Sequence, residues 1–403
     1  MDLTKTFETF SSREVLKCID MHTTGEATRI VYSGFPDLQC ETLLSKHDKA
    51  KAEYDHLHKQ LMFEPRGHDD MYGAILIRDT ECVRSGEAHM GTLFTHGGGF
   101  STMCGHATIA LGRFLVDTHD LAVFPQRNAL QVDPAARCVR VNLHAPCGVV
   151  QVTVPTVDAE GRRSDPSRPV TFQSTPSYAA VVGLTIPIPE EVRWPELAAQ
   201  GKDTITLDIS YGGAFYALVD ARELGFQAGL VRVDLEAIRS AVAKLKAHLE
   251  TQLDVLNALQ HPEDPRLSFL YSVMVTDSQH GTKPDDVQGA ETGLCFFADN
   301  QVDRSPTGSC VAARMALAHA KGDRPVGKRS AYNSLVSNYF GSGAFTAEIV
   351  EEGIRVEGSN GPGRNAVVVR VEGRAYYTGM ASFIAEKGDV TSENGFTMKH
   401  ITQ

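Results

Sequence analysis

The sequence predicts a mixed α/β protein organised as two similar halves, and three observations predict it. Short strand-like stretches recur along both halves of the chain. Each half holds one apolar, helix-compatible stretch, residues 107–115 and 311–320. Each of those stretches is opened by a turn of small residues, Met103-Cys104-Gly105-His106 in the first and Asp303-Arg304-Ser305-Pro306-Thr307-Gly308-Ser309 in the second. Repetition of sequence between the halves goes no further than these turns.

Element by element, β-branched and apolar runs predict strands at 28–33, 74–78, 139–142 and 149–154 in the first half. In the second half they predict strands at 214–219, 270–275, 294–298, 346–350 and 367–371. Frequent, mixed charges mark 37–62, with a break near Ser45, and 233–257 as surface helices. The stretch 158–169, rich in Arg, Ser, Asp and Pro, reads as an exposed insertion, and 186–201 and 358–363 as similarly peripheral.

Composition bounds the function. A length of 403 residues is ample for two or three domains, and 42% hydrophobic with 22% charged residues is ordinary for a globular protein. A formal net charge of −11 argues against nucleic acid or an anionic membrane as partner. A small anionic substrate stays open, because local dipoles outweigh the global field at a helix start. The eight cysteines are scattered without a C-x-x-C pair, so neither a zinc site nor a disulfide scaffold is expected. Residues 1–14 are polar without a signal-peptide core, and no apolar run approaches the ~18 residues that span a membrane. A reducing cytoplasm is the expected setting, one that keeps cysteine as thiol.

Chemistry concentrates in the two turns. The first amides of a helix have no intrahelical acceptor, so each turn offers N–H groups and a positive dipole end to a carboxylate. The same field lowers the pKa of a cysteine placed there from about 8.5 toward neutrality, where its thiolate acts as a base. A lone cysteine is more often packing than nucleophile. The pairing of Cys104 with a second turn of the same build changes that balance. His22, His68, His89, His96 and His106 show no H-E-x-x-H or comparable spacing, so no metal is expected. Gly97-Gly98-Gly99 and the glycine-rich 358–363 match neither nucleotide-binding loop pattern, and no lysine context suggests a Schiff base, so no cofactor is expected.

The two turns resemble the signatures of the proline racemase family, Met-Cys-Gly-His and Asp-Arg-Ser-Pro-x-Gly. Further stretches are similar to the family: Asp20-Met21-His22-Thr23-Thr24-Gly25-Glu26, Pro65 to Gly73, Tyr211-Gly212-Gly213-Ala214-Phe215-Tyr216 and Gly373-Arg374-Ala375-Tyr376. The resemblance implies two pseudo-symmetric α/β lobes of the proline racemase and diaminopimelate epimerase type, each a barrel-like sheet around a central helix. It places residues 10–204 and the return 377–403 in the first lobe and 205–376 in the second. Relatives are commonly homodimers, which is carried over as an expectation.

One departure alters the expected reaction: Thr307 stands where a racemase of the family has its second cysteine. Racemisation needs a base on one face of Cα and an acid on the other, and a thiol serves in both roles where a threonine hydroxyl does not. The Cys/Thr pairing resembles the branch of the family that dehydrates trans-3-hydroxy-L-proline to Δ1-pyrroline-2-carboxylate without a cofactor. By the same resemblance Cys104 is the base and Thr307 holds the second catalytic position, where its hydroxyl is expected to orient the leaving hydroxyl by hydrogen bonding. Gly105, His106, Gly308 and Ser309 face the substrate carboxylate, and Asp303 with His106 receives the ring ammonium. Tyr72 and Phe297 form aromatic walls. Cys310, where the family usually has glycine, reads as a buried spacer. Two alternatives stay open at this level: a proline or hydroxyproline racemase or epimerase, and a non-catalytic amino-acid binding protein.

Overall fold

A computed structural model describes residues 15–359, 363–386 and 388–402. The polar 1–14 segment and the centre of the 358–363 stretch lie outside the described residues. Along the chain the strands are β1 (Leu16–Thr23), β2 (Glu26–Ser33), β3 (Tyr72–Ile77), β4 (Met90–His96), β5 (Gly99–Ser101), β6 (Gln131–Asp133), β7 (Cys138–Ala145), β8 (Gly148–Pro155) and β9 (Val170–Gln173). They continue as β10 (Tyr178–Pro187), β11 (Thr204–Tyr211), β12 (Phe215–Asp220), β13 (Leu270–Asp277), β14 (Gly289–Phe297), β15 (Gln301–Asp303), β16 (Ser330–Asn333), β17 (Phe345–Val356), β18 (Arg364–Gly373) and β19 (Ala375–Phe383).

The chain divides into two compact units. The first takes residues to Ser101, His106–Val170 and Ala375 onward; the second takes Thr102–Gly105 and Thr171–Arg374. The resemblance places the crossover near Thr204. In the structure the chain changes unit at Val170/Thr171, because β10 already pairs antiparallel with β11, Tyr178 opposite Tyr211.

In the second unit the strands run β10-β11-β12-β13-β14-β16-β17-β18, with β12–β13 and β14–β16 parallel and the other neighbours antiparallel. A bridge between Ser177 and Val367 brings the last strand back beside the first, so the sheet closes on itself. The helix Gly308–Ala320 packs against β10, β11, β12, β17 and β18 and is buried from Gly308 to Leu317. It is apolar nearly all round, as a helix with no solvent face requires, and its many alanines let strands approach from every side.

The first unit repeats this order. Its strands run β19-β1-β2-β3-β4-β7-β8, with β2–β3 and β4–β7 parallel. The helix Gly105–Asp117 follows the short hairpin strand β5, just as Gly308–Ala320 follows β15, and both helices are 13 residues long. Arg113 on that helix donates to the carbonyl of Ala375 in β19, and a Cβ on Gly112 would meet Val152 in β8 at 2.7 Å. The duplication that the sequence barely shows is therefore present in strand order and helix placement.

Three expectations need correction. The helix expected over 37–62 is two helices, Leu43–Glu53 and Asp55–Met62, and the break falls at Tyr54. Ser45 is instead in the first turn, its N–H donated to the Thr42 hydroxyl that caps the helix at 3.2 Å. The 233–257 helix likewise splits into Leu235–Leu249 and Leu253–Ala258. Its first part buries Ile238, Ala241, Val242, Leu245 and Leu249, one stripe at helical spacing.

The third correction concerns 186–201, a largely exposed segment that is nonetheless anchored in the core by four buried side chains. Ile186, Ile188, Trp194 and Leu197 belong to the second unit's main hydrophobic cluster, and Trp194 donates its indole N–H to the Leu224 carbonyl at 2.6 Å. Trp194→Ala is expected to cost about 3–5 kcal/mol, lowering the unfolding midpoint by roughly 10 °C in a thermal melt. A shift below 2 °C would place the indole outside the core. Among the described residues, no helix is long and apolar enough to cross a membrane.

Candidate active site

The second turn is organised by one carboxylate. Asp303, the last residue of β15, accepts the Ser305 N–H at 2.7 Å on one oxygen and the Thr307 hydroxyl at 2.8 Å on the other. The Ser305 hydroxyl in turn accepts the Thr307 N–H at 3.1 Å. Thr307 takes the helix N-cap position at φ 62°, ψ 79°, and its side chain makes no capping bond. Left-handed backbone is a strained state for a β-branched residue, worth on the order of 1–3 kcal/mol. Here the bonds to Asp303 and Ser305 over-determine it. With the hydroxyl committed to Asp303, the helix start is left for an incoming acceptor.

Behind Thr307 lies Cys295, fully buried and paired with Asp303 across the β14–β15 hairpin. Its sulfur is 2.9 Å from the Ser272 hydroxyl and also in hydrogen-bonding contact with Thr307. Burial pushes the Cys295 thiol up to about 12, and the Asp303 charge adds to the rise. It is a thiol and not a thiolate. Cys310 is wholly buried, as the sequence suggests, and burial holds its pKa far above the ordinary value.

Cys104 precedes the helix Gly105–Asp117 and, with Gly105, belongs to the second unit. The two turns meet at their glycines. A Cβ on Gly105 would stand 2.5 Å from the Gly308 Cα and 2.9 Å from the Ser309 nitrogen, so no side chain fits there. Cys104, Thr307, Asp303 and Ser309 are each at most 6% exposed.

The Tyr211–Tyr216 motif finds its reason at the same place. A Cβ on Gly212 would meet the Ser309 carbonyl at 2.2 Å, and the Gly213 carbonyl accepts the Thr102 hydroxyl at 2.7 Å. The Tyr216 hydroxyl is 2.6 Å from that of Ser309. Ser272, Cys295, Ser305 and Tyr216 are not among the site residues expected from the sequence; Tyr216 and Ser305 each fall in one of the two motifs but have no role assigned there.

Of the remaining candidates, Phe297 is buried at the end of β14, opposite Gln301. Tyr72 and His106 belong to the first unit. There the Tyr72 ring meets His106 edge-on with centroids 4.8 Å apart, and its hydroxyl is 2.5 Å from that of Ser101. The His106 carbonyl accepts the Thr23 hydroxyl at 3.1 Å, which ties the first turn of the helix to β1 and to the Asp20–Glu26 motif.

Comparison with known proteins adds the following. The family profile described as proline racemase matches residues 18–397. Trans-3-hydroxy-L-proline dehydratase of Homo sapiens is 38% identical over 387 residues, covering 96% of this chain and 95% of its own. The trans-L-3-hydroxyproline dehydratase of Xenopus tropicalis is 38% identical with 96% of each chain covered. Among solved structures, a probable proline racemase from Agrobacterium radiobacter superposes with a TM-score of 0.74 at 21% identity, over 96% of this chain and 97% of its own. A hydroxyproline epimerase from Agrobacterium vitis superposes at 0.73 and 21%, over 96% and 95%. These two likenesses speak to the fold.

Proposed function

Because this chain belongs to the proline racemase family, we infer that it is a hydro-lyase, converting trans-3-hydroxy-L-proline to Δ1-pyrroline-2-carboxylate and water without a cofactor. The observation that carries the reading is the second turn: a threonine whose hydroxyl proton is held by Asp303 at 2.8 Å, in the place of a thiol. Such a group neither takes nor returns a proton at Cα near neutral pH.

Cys104, as thiolate, removes the Cα proton. The amides of Gly105 and of Gly308 and Ser309, at the two helix starts, hold the substrate carboxylate and stabilise the negative charge that develops beside it. Asp303, with His106, receives the ring ammonium. Tyr72 and Phe297 supply apolar walls that strengthen these interactions by excluding water. Because no second acid meets Cα, the carbanion relaxes by expelling the 3-hydroxyl, and the enamine so formed tautomerises to the cyclic imine. The reading places the enzyme in the reducing cytoplasm, where a thiolate base persists.

The test is incubation with trans-3-hydroxy-L-proline, L-proline and trans-4-hydroxy-L-proline in deuterated water, followed by proton NMR. Imine from the 3-hydroxy substrate alone is expected. Cα deuteration or epimer formation without elimination would make the protein an isomerase. Thr307→Cys restores an acid on the second face and is expected to produce D-proline from L-proline. If the variant folds and yields none, more than one residue separates the two chemistries.

A further inference from the structure

We propose that the Cys104 sulfur is both base and acid of the dehydration, handing the proton it takes from Cα to the departing 3-hydroxyl, so that the elimination is syn. The proposal rests on the dehydratase reading and deepens it by naming the group that protonates the leaving oxygen.

The argument begins with the substrate. In trans-3-hydroxy-L-proline the hydroxyl and the carboxylate lie on opposite faces of the ring. The Cα hydrogen also lies opposite the carboxylate, so hydrogen and hydroxyl share one face. A base that takes the Cα proton must approach that face, and from there the vicinal hydroxyl is within the same hydrogen-bonding reach. A residue on the other face meets the C3 hydrogen and not the hydroxyl.

The second turn supports the same assignment by what it cannot supply. The one proton of the Thr307 hydroxyl is donated to Asp303 Oδ2 at 2.8 Å, and the other Asp303 oxygen accepts the Ser305 N–H at 2.7 Å. Both Asp303 oxygens are thus engaged as acceptors within the turn itself. The neighbouring Cys295 thiol is buried behind Thr307, and burial pushes it up to about 12, which makes it a poor proton donor. The second turn thus offers the leaving oxygen no ready proton, whereas the sulfur that has just been protonated lies on the hydroxyl's own face of the ring.

The step balances. The thiolate takes the Cα proton; the C–H electron pair becomes the second bond between Cα and C3 as the C3–O bond breaks. The oxygen leaves with its own hydrogen and the proton from sulfur, as water, and the sulfur is again thiolate. No oxidant, metal or further proton donor enters. Thr307 then keeps the opposite face of Cα free of a proton source and is a specificity-determining residue, not the acid; this replaces the expectation that its hydroxyl orients the leaving group.

The experiment compares trans- and cis-3-hydroxy-L-proline on the wild-type protein in deuterated water. The two share the Cα configuration and differ in the face that bears the hydroxyl. Imine is expected from the trans isomer. The cis isomer is expected to take deuterium at Cα and to form imine at less than one hundredth of the trans rate. Faster imine formation from the cis isomer overturns the proposal alone; no imine from either overturns the dehydratase reading with it.

If the cis isomer does not exchange, Thr307→Val decides, assayed with trans-3-hydroxy- and trans-3-fluoro-L-proline. Fluoride leaves without protonation, so the ratio of the two rates isolates the acid from folding and positioning. A ratio within threefold of wild type supports the sulfur. A tenfold or greater selective loss on the hydroxy substrate makes Thr307 the acid and overturns the proposal.

Discussion

Replacing Cys104 with serine is expected to lower kcat/KM for trans-3-hydroxy-L-proline by about 10³- to 10⁴-fold, the upper range for a lost general base. The exchange changes one atom at a site only 4% exposed, so the fold should survive it. The serine hydroxyl titrates far above the thiol and provides almost no base near neutral pH. Circular dichroism and a thermal melt within 2 °C of the parent would assign the loss to chemistry. Turnover equal to that of the parent would remove the thiolate from the mechanism and restore the reading of a binding protein.

The second large effect belongs to a residue with no side chain. Gly105→Ala would drive a methyl group to 2.5 Å from the Gly308 Cα and 2.8 Å from its carbonyl carbon, both backbone atoms that cannot swing away. The two turns must part, at an overpacking cost of about 1–3 kcal/mol. A displacement of about 1 Å at the reacting groups costs on the order of 10²-fold in rate. The matched control is Gly379→Ala in β19, where a Cβ would meet nothing within 4 Å. Equal activity in the two variants, measured by imine formation at saturating substrate, would show that the glycine contact does not set the geometry.

The two turns could be read from the sequence because each packs its chemistry into a few consecutive residues. What they share in space was less legible. The contacts of Tyr216 with Ser309 and of Thr102 with Gly213 span 93 and 111 residues, and no local pattern announces them. The backbone state of Thr307 runs against propensity, since a β-branched residue at φ 62° is chosen by its neighbours and not by itself. Prolines at 187, 189 and 195 made 186–201 look like a surface loop. An irregular backbone can still deliver Ile188, Trp194 and Leu197 to a core, provided the donors that remain find partners, as the indole does on Leu224. The β4 strand, buried at every position, is not announced by the sequence because Gly91, Thr92, Thr95 and His96 break up its apolar run.

The threonine turn is knit by bonds that span only two to four residues, Asp303 to Ser305, Ser305 to Thr307 and Asp303 to Thr307. Gly105 and Gly308 meet across some two hundred residues of chain. Loop-closure entropy grows with the logarithm of that separation, and the difference is about 3–4 kcal/mol. One half of the site is thus a property of a heptapeptide, whereas the other exists only as long as the whole sheet around Gly308–Ala320 is intact. The placement of Cys104 is therefore a gauge of the fold's integrity: any weakening of the second unit, however remote, bears on the Gly105–Gly308 contact before it bears on the Asp303–Thr307 turn.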